Sequence, residues 1–300
     1  MPEGVEIRWM ARCLAKFCIG KQLLAIRAHS KKEIKGSEDF TPSICREVSS
    51  KGKVLFLIFD TFQLVIHFGL TGFLSLDSDK AHVRYTFEFF ESDLGSQSLK
   101  KTDLSSQSLK KTDLGSQSLK KTDLYYCDAT NFGNVYLYTS FEYKETQLGL
   151  DLFNPSEFTL EAFQQKIDRN KQNICVFLMN QKKLAGIGNY IKCESLYHAH
   201  LSPFRTMDSL SSAEIKHLYD AVQFVMYSCY LSGYDKETYK HVSINLKCSL
   251  EDEIGGDPLT KIVPQPKPYV FQVYQRERDG LEVAKTPDGR STYWMPSVQL

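Results

Sequence analysis

The chain begins Met-Pro-Glu-Gly-Val-Glu, and Pro2 and Glu3 are the first residues able to do chemistry. Removal of the initiator methionine would expose the secondary amine of Pro2 with the Glu3 carboxyl beside it. Such a dipeptide holds a nucleophile and a proton shuttle together. An α-amino group titrates near about 8, and a helix end or a neighbouring cation lowers that value. The plainer reading is that Pro2 only marks a trimming site. A second constellation lies far downstream. Gly186-Ile187-Gly188-Asn189 separates two helical patterns, with Lys182 shortly before it. Glycines there permit a tight turn with exposed amides, and the following helix points its positive end at that turn. Asn189 and Lys182 then suit an anionic phosphate. The alternative is a glycine-rich helix–helix turn with a capping asparagine.

Composition limits the classes open to the chain. With 300 residues it can hold two or three small domains, and 42% hydrophobic with 24% charged residues is ordinary for a soluble globular protein. The formal net charge of +1 gives no global attraction for nucleic acid, so a nucleic-acid binder of this balance must gather its basic groups on one face. None of the eight cysteines forms a C-x-x-C pair, which gives no zinc ribbon to read and implies free thiols in a reducing compartment. The N-terminus lacks a signal-peptide pattern and no apolar run reaches spanning length. The expectation is an intracellular protein, nuclear or cytoplasmic and not secreted. The seven histidines form no ligand pattern; His198 and His200 are two apart on a helical segment, and His67 lies in a strand.

The elements that must position these groups follow from periodicity. Val5, Trp9, Cys13 and Phe17, with Met10 and Leu14 beside them, form one face of an amphipathic helix that Gly20 ends. Glu3 and Glu6 fall in its first turn, where carboxylates suit the helix dipole. Residues 53–60, 62–70, 83–91 and 134–139 read as strands, the first two joined at Asp60-Thr61 like a hairpin. This half is expected to be a β-sandwich or barrel. Between strands, Ser-Gln-Ser-Leu-Lys-Lys-Thr-Asp-Leu occurs at 96–104, 106–114 and 116–124. It reads as an expanded solvated loop over 95–124, the alternative being a tethering or nucleic-acid-contacting arm. From Pro155 onward helices are expected: one near Ser156, one in 173–180, one after Gly188, and one opened by the capping box Ser211–Glu214. The last segment returns to strand pairs with turns at Asp279-Gly280 and Asp288-Gly289.

Taken together, five separated stretches resemble the Fpg/Nei family of DNA glycosylase/AP lyases. They are Met-Pro-Glu-Gly at the start, the Lys53 hairpin in 49–59, Ile66 to Leu74, Asp128 to Val135, and Leu184 to Tyr197. They stand in the family's order and span nearly the whole chain except the repeat. The resemblance implies an α+β multidomain fold: an N-terminal β-sandwich with an N-terminal helix (1–140), a helix-two-turn-helix domain (150–262), and a finger (263–300). Where the family commonly ends in a zinc finger, Met295 and Val298 stand at cysteine positions and the finger arginine is Arg290. This resembles the zincless Nei-like branch, so no metal and no cofactor is expected.

The resemblance also implies roles. Pro2 is the Schiff-base nucleophile and Glu3 the proton donor. Lys53 contacts the phosphate beside the lesion and supports elimination. Lys182, Asn189 and Arg290 clamp phosphates, and Glu6 belongs to the DNA-binding set. Leu70 and Phe132 match the wedge that fills the gap left by an extruded base. The position of the arginine that pairs with the orphaned base is Thr130, followed by Asn131. Threonine lacks the donor fork of arginine, so weak discrimination of the opposite base or tolerance of single strands is expected. The implied activity is excision of oxidised bases, pyrimidines favoured, followed by β,δ-elimination. The expected partner is damaged DNA and the expected state a monomer. Residues 241–262 are candidates for the lesion-pocket loop. The alternatives are a non-catalytic damaged-DNA-binding protein of the same fold, or a structural protein whose repeat is an interaction arm.

Overall fold

The computed structural model describes residues 2–29, 32–91, 120–139, 147–232 and 269–300. Most of the triple repeat, and the pocket-loop candidates 241–262, lie outside these residues.

Helix α1 (Gly4–Cys18) starts after the extended residue Glu3 and ends before Gly20, whose φ of 84° suits glycine. It is buried on more than the one face that the four-residue spacing suggests. Val5 joins the core of the helical half, whereas Ile7, Met10, Cys13 and Leu14 join that of the sheet half. Helix α1 is therefore the wall shared by two cores, and this fixes its N-terminus at their junction.

Eight strands follow: β1 (Gln22–Ala28), β2 (Ser43–Lys51), β3 (Val54–Phe59), β4 (Gln63–His67), β5 (Phe73–Ser75), β6 (Val83–Phe90), β7 (Lys121–Cys127) and β8 (Asn134–Tyr138). Their order is β5-β7-β6-β1-β2-β3-β4-β8, with antiparallel pairing. Strands β1 and β2 share only the pairs Gln22–Ile44 and Leu23–Ser43, and there the sheet bends into two layers. Leu55, Leu57 and Phe59 point into the space between the layers; Val54 and Phe56 point to the opposite side, as strand alternation requires.

The repeat does not remain a loop to its end. Lys121-Thr122-Asp123-Leu124 of the third copy forms the first half of β7, pairs with β6, and buries Leu124 completely. The alternation of Thr122 and Leu124 runs on into Tyr125-Tyr126-Cys127, so the strand continues from polar repeat into apolar sequence.

The helical half contains β9 (Leu150–Asp151), α2 (Leu160–Ile167), α3 (Ile174–Met179), β10 (Leu184–Ala185), α4 (Asn189–His198) and α5 (Ser212–Ser232). Thr159, not Ser156, caps α2, accepting from the Ala162 N–H at 3.1 Å. The capping box before α5 is present: the Ser211 N–H donates to Glu214 at 2.7 Å, and the Glu214 N–H donates to Ser211 at 3.3 Å. Phe158, Phe163, Phe177, Tyr190 and Val222 fill this core. The end of the chain is one hairpin, β11 (Glu282–Lys285) and β12 (Ser291–Trp294), turning at Asp288-Gly289. Asp279-Gly280 is a turn leading into β11 rather than between two strands. Met295 is buried, and Trp294 meets Phe204 edge to face at 5.3 Å.

Candidate active site

Three backbones converge beside Pro2. The Gly4 N–H donates to the Gly186 carbonyl at 2.9 Å, joining the start of α1 to the α3–α4 turn. A Cβ on Gly4 would stand 2.9 Å from Gly186 Cα, and one on Gly52 would stand 2.7 Å from Ala185 Cβ. Gly186 itself has φ of 119°. Glycine at these positions lets the α1 start, the β2–β3 turn and the α3–α4 turn touch. That contact places Pro2 and Glu3 next to Lys53, residues fifty apart in sequence.

Glu3 is 2% exposed. Its carboxylate accepts from the Tyr190 N–H at 2.9 Å and the Ile191 N–H at 3.3 Å, the orphan donors at the start of α4. A Cβ on Gly188 would overlap the Glu3 carboxyl, so this position too requires glycine. Burial raises the Glu3 carboxyl to about 7; Lys53 opposes the rise, Glu6 adds to it, and the two amides oppose it. Burial lowers the Lys53 ammonium; Glu3 opposes this, and the charge of Arg290 reinforces it. A carboxyl poised near neutrality beside a lysine whose ammonium burial lowers makes a pair suited to proton transfer.

Glu6 is a correction to the sequence reading. It is completely buried, accepting from the Glu3 N–H at 2.7 Å and the Tyr190 hydroxyl at 3.0 Å. It faces the protein interior rather than a DNA surface, and it holds the Glu3 backbone to α4.

Pro2 and Lys53 line a cavity of about 380 Å³ together with His67, Gly69, Phe132 and Gln181. Gln181 was not singled out in the sequence. Its Nε2 donates to the Met179 and Ile187 carbonyls at 3.0 and 2.9 Å, and its Oε1 accepts from the Gly186 N–H at 3.0 Å, so it locks the α3–α4 turn. An isolated glutamine between helices carries no sequence signal for this.

Leu70 and Phe132 are 37% and 64% exposed, so neither is a core residue. Asp128 holds both segments. Its carboxylate accepts from the Thr71 hydroxyl at 2.5 Å, the Gly133 N–H at 2.7 Å and the Thr130 hydroxyl at 3.0 Å. Burial works to raise this carboxyl, but those donors outweigh burial and hold it below the usual range. The Thr130 side chain is thus engaged in the loop's own framework. Asn131 has φ of 58°, and its carbonyl accepts from Lys32 at 3.0 Å.

The cation and amide candidates lie on the helical half and the hairpin, outside the residues that line this cavity. Lys182 is exposed on the α3–α4 turn, its N–H donating to Asn180 Oδ1 at 3.0 Å. Asn189 opens α4 and donates through Nδ2 to the Ser291 carbonyl at 2.9 Å. Arg290 is exposed on the β11–β12 turn, close enough for its charge to reach Lys53. The structure therefore brings Pro2, Glu3 and Lys53 together within reach of the Arg290 charge, ties Asn189 to the hairpin that carries Arg290, and leaves Leu70 and Phe132 on the sheet side, with Lys182 exposed on the α3–α4 turn.

This site lies where a β-sandwich meets a helical unit, with α1 shared between their cores. A family model of the formamidopyrimidine-DNA glycosylase N-terminal domain matches residues 1–135, and one of the formamidopyrimidine-DNA glycosylase H2TH domain matches 148–236. The chain belongs to the formamidopyrimidine-DNA glycosylase family. It is 27% identical to the formamidopyrimidine-DNA glycosylase of Oceanobacillus iheyensis over 233 residues, covering 73% of this chain and 72% of the other. The crystal structure of the Thermus thermophilus MutM (Fpg) protein superposes with a TM-score of 0.71 at 21% identity, over 99% of this chain and 98% of that one. Lactococcus lactis Fpg bound to DNA containing an abasic site superposes with a TM-score of 0.70 at 20% identity, over 99% of each chain.

Proposed function

We propose that the protein is a bifunctional DNA glycosylase and AP lyase that excises oxidised bases in base excision repair. The observation that carries this reading is the buried Glu3 carboxyl, raised to about 7, set between Pro2 at the cavity wall and the depressed ammonium of Lys53. With Met1 removed, the neutral Pro2 nitrogen attacks C1′ of the damaged nucleotide, and Glu3 protonates the opening sugar as the base departs. The resulting iminium of a secondary amine cannot shed its charge by losing a nitrogen proton. It withdraws electrons from C2′, a proton leaves there, and the 3′ and then the 5′ phosphate is eliminated. Lys53 binds the adjoining phosphate and exchanges protons during elimination.

Lys182, Asn189 and Arg290 hold the backbone around the extruded nucleotide. Leu70 and Phe132, exposed and braced by Asp128, enter the gap in the duplex. Thr130 supports weak discrimination of the opposite base. The hairpin finger acts without metal, as in the Nei-like branch, and with it goes a preference for oxidised pyrimidines. The protein acts as a monomer, with the domains divided as 1–140, 150–262 and 263–300.

Borohydride trapping tests the reading. Incubation with abasic duplex and sodium borohydride is expected to give a covalent protein–DNA adduct together with strand cleavage in its absence. Binding without adduct or cleavage would instead identify a non-catalytic damage-binding protein.

A further inference from the structure

Lys192 lies in the middle of α4 with its side chain fully buried, and 2.8 Å from its ammonium is the Asp288 carboxylate, itself 3% exposed. Burying both charges carries a desolvation cost that Coulomb attraction offsets only with good geometry, and an apolar pair of similar volume often serves stability as well or better. The charges therefore need a reason other than stability.

Their surroundings supply one. The Thr286 hydroxyl donates to the other Asp288 oxygen at 2.5 Å and lies 2.7 Å from the Thr292 hydroxyl. The Thr286 N–H donates to the Arg290 carbonyl at 3.2 Å, closing the turn. One helical turn before Lys192, Asn189 donates to the carbonyl of Ser291, the residue after Arg290. Two residues on one face of α4 thus grip the hairpin on either side of Arg290.

We propose that the Lys192–Asp288 pair is a positioning device: it fixes the β11–β12 turn against α4 so that Arg290 is held in place for a DNA phosphate before DNA arrives. The phosphate role of Arg290 rests on the functional reading above; the ordering of the turn does not. Lys192 and Asp288 are positioning residues, since neither reaches the cavity wall.

The test is the double variant Lys192→Met/Asp288→Leu. Its melting temperature is expected to match or exceed that of the parent. In the DNA-free protein the Thr286 and Gly289 amides should exchange with solvent at least about tenfold faster. Affinity for abasic duplex should fall about tenfold, and the slope of log affinity against log salt should become shallower by about one, the signature of one lost phosphate contact. Adding Arg290→Ala to the double variant should then change neither quantity further. Parental exchange rates overturn the inference, and so do faster exchange with parental affinity and slope. If the double variant does not fold, Asp288→Asn, which keeps the shape of the side chain, is read by the same measures. A parent protein that binds no abasic DNA sinks the functional reading, and exchange alone then decides the inference.

Discussion

The proposed mechanism concentrates its proton transfer in the Glu3 carboxyl. In the mechanism above it is a general acid, and such groups contribute about 10²–10⁴-fold. Glu3→Gln is expected to slow base release at least about 100-fold in single-turnover assays, while borohydride adducts with a preformed abasic site persist. Equal loss of both would remove Glu3 from the base-release step. Because the carboxyl titrates near about 7, base release by the parent should decline as pH rises through that value. The same shift acts on stability. Between its ordinary value of 4.5 and about 7 the native carboxyl keeps a proton that the unfolded chain has lost, so this group makes the fold less stable as pH rises across that window. Glu3→Gln should flatten that part of a melting-temperature profile. Pro2, Glu3 and Lys53 were singled out from residue type and motif, and the structure sets them side by side. The resemblance put Glu6 in the DNA-binding set, whereas its burial depends on Tyr190, 184 residues away, a contact that no local signal shows.

At the level of elements, the site depends on close backbone contacts. Gly188→Ala would drive a methyl into the Glu3 carboxyl and is expected to destabilise the fold by about 2 kcal/mol and to abolish base release. Unchanged melting and turnover would show that Glu3 and the start of α4 are not in contact. Leu70→Ala and Phe132→Ala should behave in the opposite way. Both side chains are exposed, so unfolding free energy should move by no more than about 0.5 kcal/mol while excision from duplex falls severalfold. A large loss of stability would make them core residues after all. Helix α1, the β3–β4 hairpin, the capping box and the turn of β11–β12 were legible, since periodicity and turn residues are local signals. The Gly4–Gly52–Gly186 contact, the Gln181 lock and the Lys192–Asp288 pair were not. The glycine contact and the ion pair join segments distant in sequence, the Gln181 lock is local but a lone glutamine gives no signal for it, and a lysine inside a helix reads as surface until its partner is placed.

For the whole molecule, the sheet half tolerates the repeat because of where β6 and β7 leave it. The Glu91 N–H donates to the Lys120 carbonyl at 3.2 Å, so the two ends of the insertion are hydrogen-bonded neighbours. Replacing residues 92–119 by Asn-Gly should close an ordinary hairpin, with a melting temperature within a few degrees of the parent and unaltered strand cleavage. Loss of cleavage in a folded variant would give the repeat a functional role. The cut must stop before Lys121, because Leu124 belongs to the core. Two cores sharing α1 bring the first residues of the chain to the turn before α4, and the catalytic claim rests on that placement. Peptide mass spectrometry of the borohydride-reduced adduct tests it most directly. The deoxyribose remnant should be found on the nitrogen of Pro2 in chains that have lost Met1. A remnant on Lys53 or any other lysine, or no adduct with abasic DNA, would contradict the account.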